Sequence, residues 1–211
     1  MAAATGGMGL AGLVNNAGTA VAASLEFLPL GELRRQLEVN VVGQIAVTQA
    51  FLRLLRQGSG RIVNIGSISG RIASPLLGAY TTSKFAMEGL TDTLRRELSP
   101  WGVAVSIVEP GRIATPIWEK SLQVADELLG ALPRRALELY SPAIEEARRG
   151  ALEAARWGAP PDKVARGVEH ALTAKRLRTR YPVGPDARLG ALLVRLLPDP
   201  VLDRSLSAYA A

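Results

Sequence analysis

Short apolar runs alternate with long helical patterns through the first half of the chain, and this alternation restricts the fold more than any other feature. Residues 10–14 are apolar and stop at the turn-forming Asn15-Asn16-Ala17-Gly18. From Pro29 to about Arg56, apolar residues recur at Leu33, Leu37, Val41, Ile45 and Leu52, the spacing of one helix face. Residues 61–66 form a second apolar run and open into a loop at 67–77. A second long helix spans about 78–99 and is halted by Pro100 and Gly102; residues 103–108 then read as a third strand, ended by Pro110-Gly111. Buried strands joined by helical crossovers predict an α/β fold, a parallel sheet with helices on both faces.

Beyond Gly111 the pattern becomes helical over about 116–130, 134–157 and 161–176. One more strand is predicted at 179–183 and a helix near 186–197. A length of 211 residues fits one domain spanning 1–211.

Composition removes whole classes of function. There is no cysteine, so disulfides, thiolate metal sites and a cysteine nucleophile are out, and no metal site is expected. His170 is the one histidine, too few for a histidine triad, and its helical context reads as structural or solvated. Residues 134–195 hold 13 Lys+Arg against 7 Asp+Glu, which accounts for the net charge of +6. Arginines there alternate with glutamates, and the aromatics Tyr140, Trp157 and Tyr181 are too widely spaced for base stacking, so nucleic acid is not an expected partner. The run from Lys175 to Arg180 reads as the solvated end of a helix leading into a strand. No apolar stretch reaches the roughly 18 residues of a membrane span. Residues 189–206 are apolar but broken by charges and prolines, and are expected to pack on the body. The first residues carry no basic or apolar leader, which predicts a cytoplasmic location.

Tyr80 and Lys84 are four residues apart, so one helical turn places phenol and ammonium on the same face. A cation there favours the phenolate and is expected to lower the tyrosine pKa, as general acid–base chemistry requires. Ser67 follows the 61–66 strand, which sets its hydroxyl at the C-terminal edge of the sheet, where open α/β sheets hold ligands.

Five motifs in order, Asn15-Asn16-Ala17-Gly18, Asn40-Val41-Val42-Gly43, Ser67, Tyr80-Thr81-Thr82-Ser83-Lys84 and Pro110-Gly111-Arg112-Ile113-Ala114-Thr115, make the chain resemble the short-chain dehydrogenase/reductase family from that family's fourth strand onward. The resemblance implies a Rossmann-like fold and an oxidoreductase interconverting a secondary alcohol and a carbonyl, with NAD or NADP as cofactor. It assigns Tyr80 as catalytic acid or base, and Ser67 as the group that polarises the substrate oxygen. Lys84 would tune Tyr80 and hold the nicotinamide ribose, and Asn40 would disturb its helix and hold a relay water. Asn16, Ala17 and Gly18 would lie along the cofactor's adenosine side, where a plain strand-ending turn is the alternative. Pro110 and Gly111 would turn the chain, and Thr115 would meet the nicotinamide carboxamide. A solvated asparagine is the alternative at Asn40.

The C-terminal stretch 179–188 resembles the branch acting on retinol, steroids and hydroxy acids, which implies a small, lipophilic alcohol or carbonyl substrate. Residues 113–160 match the family's substrate lid. The helices at 29–56 and 78–99 match the pair through which many members form homodimers or homotetramers.

The resemblance also implies that roughly 70 to 80 residues with the glycine-rich βαβ unit should precede the first strand. Fourteen residues precede Asn15, and Thr5-Gly6-Gly7-Met8-Gly9 imitates the fingerprint without its strand and helix. The chain therefore reads as lacking the first βαβ unit, with family strands four to seven present, its first strand at an open edge and its cofactor binding weakened. The alternative is a non-catalytic paralogue retained as an oligomerisation module.

Overall fold

The computed structural model describes residue 7 and residues 9–207. Of the glycine run at 5–9, Thr5, Gly6 and Met8 lie outside them. Four strands, β1 (Gly12–Asn15), β2 (Arg61–Ile65), β3 (Ala104–Pro110) and β4 (Arg180–Val183), form one sheet in the order β1-β2-β3-β4, every pair parallel. Chain order equals spatial order, so each strand is followed by a crossover to its next neighbour. The first crossover holds α1 (Leu30–Leu37), a π-helical turn (Glu38–Val42) and α2 (Gly43–Gln57). The second holds α3 (Gly78–Leu98), and the third holds α4 (Ile117–Ala131), α5 (Arg134–Trp157) and α6 (Asp162–Thr173). After β4 come α7 (Pro185–Leu196) and α8 (Asp199–Ser207).

Helices cover both faces of the sheet, and the alternation of side chains along each strand decides which face each residue serves. Ile62 and its register partner Val105 join Leu55, Leu98 and Val103 beneath α2 and α3. Val63 and Val108 face the other way, against Ala171, Tyr181 and Val183, with Val164, Val168 and Leu172 of α6 closing over them. Each such buried aliphatic side chain contributes about 1.5–3 kcal/mol, so the two faces together hold the sheet.

The sequence placed these elements to within two or three residues, with two differences. The 29–56 helix is interrupted at the π turn, and α8 is a separate helix. The 189–206 segment packs on the body with one face: Gly190 is buried, and a side chain there would meet Ile68 and Ile72. Its other face leaves Leu189, Leu192 and Leu196 exposed. No helix among the described residues is long and apolar enough to cross a membrane. Among these residues no strand pairs with the outer edge of β1, and Val14 is partly exposed there.

Candidate active site

The strand ends of a parallel sheet all lie on one side, so the loops after β1, β2 and β3 converge. Ser67 follows β2 and caps a 3₁₀ turn (Ile68–Gly70), its Oγ accepting the Ser69 backbone N–H at 3.1 Å. That hydroxyl also lies 3.5 Å from the Pro110 carbonyl oxygen at the end of β3. Tyr80 stands in the first turn of α3, half-buried, with its phenol beside the Ser67 hydroxyl. Lys84 follows one turn later and is only 7% exposed. Its Nζ donates to the Ile65 carbonyl at 2.9 Å and lies 5.6 Å from the centre of the Tyr80 ring. The structure thus brings Ser67, Tyr80 and Lys84 together.

The electrostatics correct one expectation. Burial pushes the Tyr80 phenol above its ordinary value, and the Ser67 hydroxyl only partly offsets it, so the predicted lowering by Lys84 does not occur. Burial likewise pushes Lys84 down to about 8. Desolvation penalises whichever form is charged, and it is the largest cause for both groups.

Asn40 is not the solvated asparagine of the bland reading: it is 1% exposed and sits in the π turn. Its Nδ2 donates to the Thr19 carbonyl and to Ser83 Oγ, both at 3.0 Å, while its Oδ1 accepts the Thr19 N–H at 2.9 Å. Both amide hydrogens are therefore committed to protein acceptors. Ser83 in turn donates to the Tyr80 carbonyl at 2.7 Å, so Asn40 reaches Tyr80 through one hydroxyl. Ser83, fully buried, is a residue that the sequence reading missed. The signal was a serine on the inward side of a helix, where a hydroxyl needs a partner.

Asn15 is buried and Asn16 exposed. Asn15 Nδ2 donates to Thr48 Oγ1 and Asn64 Oδ1, each at 2.9 Å, and Asn64 passes the chain on to Thr91 Oγ1 at 2.9 Å. A line of amides and hydroxyls therefore joins α2, β1, β2 and α3 beneath the strand ends. Asn16, Ala17 and Gly18 are exposed at the end of β1, where the Ala17 carbonyl accepts a hydrogen bond from Gln44. Pro110 closes β3. Gly111 gives its N–H to Val183 at 2.9 Å, and the Asp186 carboxylate accepts the Arg112 N–H at 2.6 Å. A side chain at Gly111 would collide with that carboxylate at 2.3 Å. Thr115 follows at the start of the third crossover. Apart from Pro110, whose carbonyl meets the Ser67 hydroxyl, these residues share the sheet end with the trio without a hydrogen bond to it.

Helices α4 and α5 roof this region. Asp126 and Arg148 pair between them, and Val124 and Leu128 pack on Val21, Leu28 and Ala79, the residue before Tyr80. Tyr140 anchors α5 by donating to Glu26 at 2.9 Å and meeting Phe27 edge-on. His170 pairs with the Tyr181 hydroxyl at 3.1 Å behind the sheet, in keeping with its structural reading. No cluster of potential metal ligands occurs among the described residues.

Residues 2–125 match the family model described as short chain dehydrogenase. The chain is 42% identical over 210 residues to mouse retinol dehydrogenase 5, covering 96% of this chain and 65% of that protein. It is also 42% identical over 182 residues to 3-amino-tetrahydro-pyrrolizinone reductase of Xenorhabdus hominickii, covering 84% of this chain and 62% of that one. The chain thus spans less than two thirds of these two relatives. A short chain dehydrogenase from Burkholderia cenocepacia in complex with NADP superposes with a TM-score of 0.71 at 24% identity, over 97% of this chain and 71% of that one.

Proposed function

From the premise that this chain belongs to the short chain dehydrogenase family, we propose that it carries the catalytic residues of a nicotinamide-dependent oxidoreductase acting on a secondary alcohol or the matching carbonyl. The observation that carries this reading is the Ser67–Tyr80 hydroxyl pair with buried Lys84 one turn on, at the C-terminal end of a parallel sheet.

The nicotinamide end of the cofactor fits the residues present. An ammonium has three N–H donors, and Lys84 gives one to Ile65, which leaves two for ribose hydroxyls. We assign Thr115, the Pro110-Gly111 turn and, after β1, Asn16, Ala17 and Gly18 to the cofactor because they lie at the same end of the sheet as Ser67. The cofactor, NAD or NADP, supplies or takes the hydride when bound. No glycine-rich strand–helix turn for its pyrophosphate occurs among the described residues.

In the reducing direction, Ser67 and Tyr80 both donate to the substrate carbonyl oxygen, which fixes it and draws charge toward it. Burial keeps the phenol protonated at neutral pH, so Tyr80 enters as the acid and gives up its proton as the alcohol forms. The Lys84 ammonium then stabilises the phenolate left behind. Asn40 and Ser83 act through the Tyr80 backbone and are positioning residues.

The apolar residues of α4 against the start of α3 favour a lipophilic substrate under a lid at 113–160. The relatives' names, a retinol dehydrogenase among them, support the same class. A groove of about 500 Å³ between α2 and α3, lined by Ile45, Leu52, Leu90, Leu94 and Trp101, supports self-association through these helices.

The test is Tyr80→Phe, assayed by nicotinamide-linked turnover of retinoid and steroid alcohols in a form that binds the cofactor. A loss of about 10²–10⁴-fold is expected. Full turnover in the variant would end the assignment.

A further inference from the structure

Behind the site, on the far side of α3 from Asn40, lies a buried ionic cluster that the proposed chemistry does not use. Glu109 belongs to β3, in a strand otherwise apolar or small, and is 0% exposed. Glu88 faces it from α3, one turn beyond Lys84. Arg180 enters from β4: its Nε lies 3.0 Å from Glu88 Oε2 and 3.5 Å from Glu109 Oε1, and its Nη2 lies 3.0 Å from Asp92 Oδ1. Arg71, just past the Ser67 turn, is 3.8 Å from Glu109 Oε2. Arg180 is thus half-buried and ion-paired, not the solvated helix end that its sequence neighbourhood suggests.

Two facts about this cluster go together. Glu88 Oε1 and both Glu109 oxygens are buried without a donor from any other group. The two carboxyl groups nevertheless converge on one atom, Arg180 Nε, at 3.0 and 3.5 Å. Two bare carboxylates cannot satisfy one another, because neither carries a hydrogen. Asp92 is matched by Arg95 at 3.0 Å and by Arg96 farther out, so the pair left facing each other inside the fold is Glu88 and Glu109, where like charges are costly. Lys84 is directed away to Ile65, and α7 lends only Val194 to the groove over the cluster.

We propose that Glu88 and Glu109 hold one proton between them in the folded chain, and that this shared proton positions α3, and with it Tyr80, against β3 and β4. A proton on either carboxyl supplies the missing donor, removes the repulsion between the two and lets Arg180 bridge both groups. Lost, it leaves like charges facing each other across the contact between α3 and β3. The shift of Glu88 up to about 7, by burial and then by Glu109, is in keeping with this geometry. It puts the change within the physiological range.

The experiment is carbon-13 NMR of the glutamate side-chain carboxyls in the 211-residue chain between pH 5 and 9, read together with the Tyr80 ring signals. Tyr80 is eight residues from Glu88, about 12 Å along the helix, which is distant enough to report movement of α3 rather than the local field. The expected result is one carboxyl midpoint near pH 7, against about 4.3 for an ordinary glutamate, with the Tyr80 signals shifting at the same midpoint. In Glu88→Gln, which keeps a donor but cannot titrate, both changes should vanish. The proposal is overturned if every glutamate in the unmodified chain titrates below pH 6. It is equally overturned if the Tyr80 signals stay still through the transition, or if the transition survives in both Glu88→Gln and Glu109→Gln. The titration of the unmodified chain decides the matter even where a variant fails to fold.

Discussion

Gly70 approaches Lys84 so closely that a side chain at position 70 would stand 2.8 Å from the Lys84 carbonyl oxygen and 3.1 Å from its carbon. Both atoms are backbone of α3 and cannot swing aside. The 3₁₀ turn that starts at Ser67 is thereby seated on the helix turn that carries Lys84, and the serine and the tyrosine are held at one spacing. Gly70→Ala is expected to force the two apart, costing about 1–3 kcal/mol by overpacking. Urea unfolding measures that cost, and turnover should fall further than stability, because Ser67 and Tyr80 must both reach one oxygen.

Lys84 is expected to trade stability for chemistry. Its folded pKa is pushed down to about 8 from an ordinary value near 10.5. Between these two values the unfolded chain binds a proton that the folded chain does not, so stability rises as pH climbs from 8 to 10.5. Below pH 8 the penalty is present in full, about 3 kcal/mol for a shift of this size. Lys84→Met should therefore melt at a higher temperature than the unmodified chain at pH 7, with the gap closing by pH 10. A variant that is less stable at pH 7 would contradict this account.

Ser83→Ala removes the acceptor for one Asn40 amide hydrogen and the donor to the Tyr80 carbonyl. Leaving a buried amide unpaired costs about 1–3 kcal/mol. A double-mutant cycle with Asn40→Ala, followed by thermal melting, should show the two losses to be strongly non-additive. Simple additivity would mean that the two residues act separately.

How much of this was legible in the chain depends on the distance between the partners. Tyr80, Lys84 and Ser67 were found because their relation is local: one helical turn, and one strand end. The pairing of Asn15 with Asn64 was not, since it rests on a sheet register between residues 49 positions apart. Glu109 carried a signal that went unread. A carboxylate inside the run Ile107-Val108-Glu109-Pro110 implies a partner, but nothing local says that the partner is Arg180. The pKa of Tyr80 failed for a similar reason. Spacing reveals that a cation is near, but only the packed structure reveals how dry the phenol is.

Trp101 is half exposed at the mouth of the groove between α2 and α3, with the Arg56 guanidinium 4.4 Å above its ring. If two copies meet on this face, Trp101→Glu brings like charges into the contact and should convert the assembly to monomer in sedimentation velocity runs. Melting of the isolated chain should change little, because an exposed position contributes within about 0.5 kcal/mol. An unchanged sedimentation coefficient would move the association surface elsewhere.

The turn Glu38–Val42 closes with the Gly43 N–H on the Glu38 carbonyl, five residues back instead of four. A rod with a surplus residue falls out of step with itself by roughly 100° on either side of it. That offset is what allows Leu33 to press on Val21 and Ala79 while Phe51 and Leu55, farther along, press on the sheet. Delete Val41 and the rod would run true, but one of its two ends would have to let go.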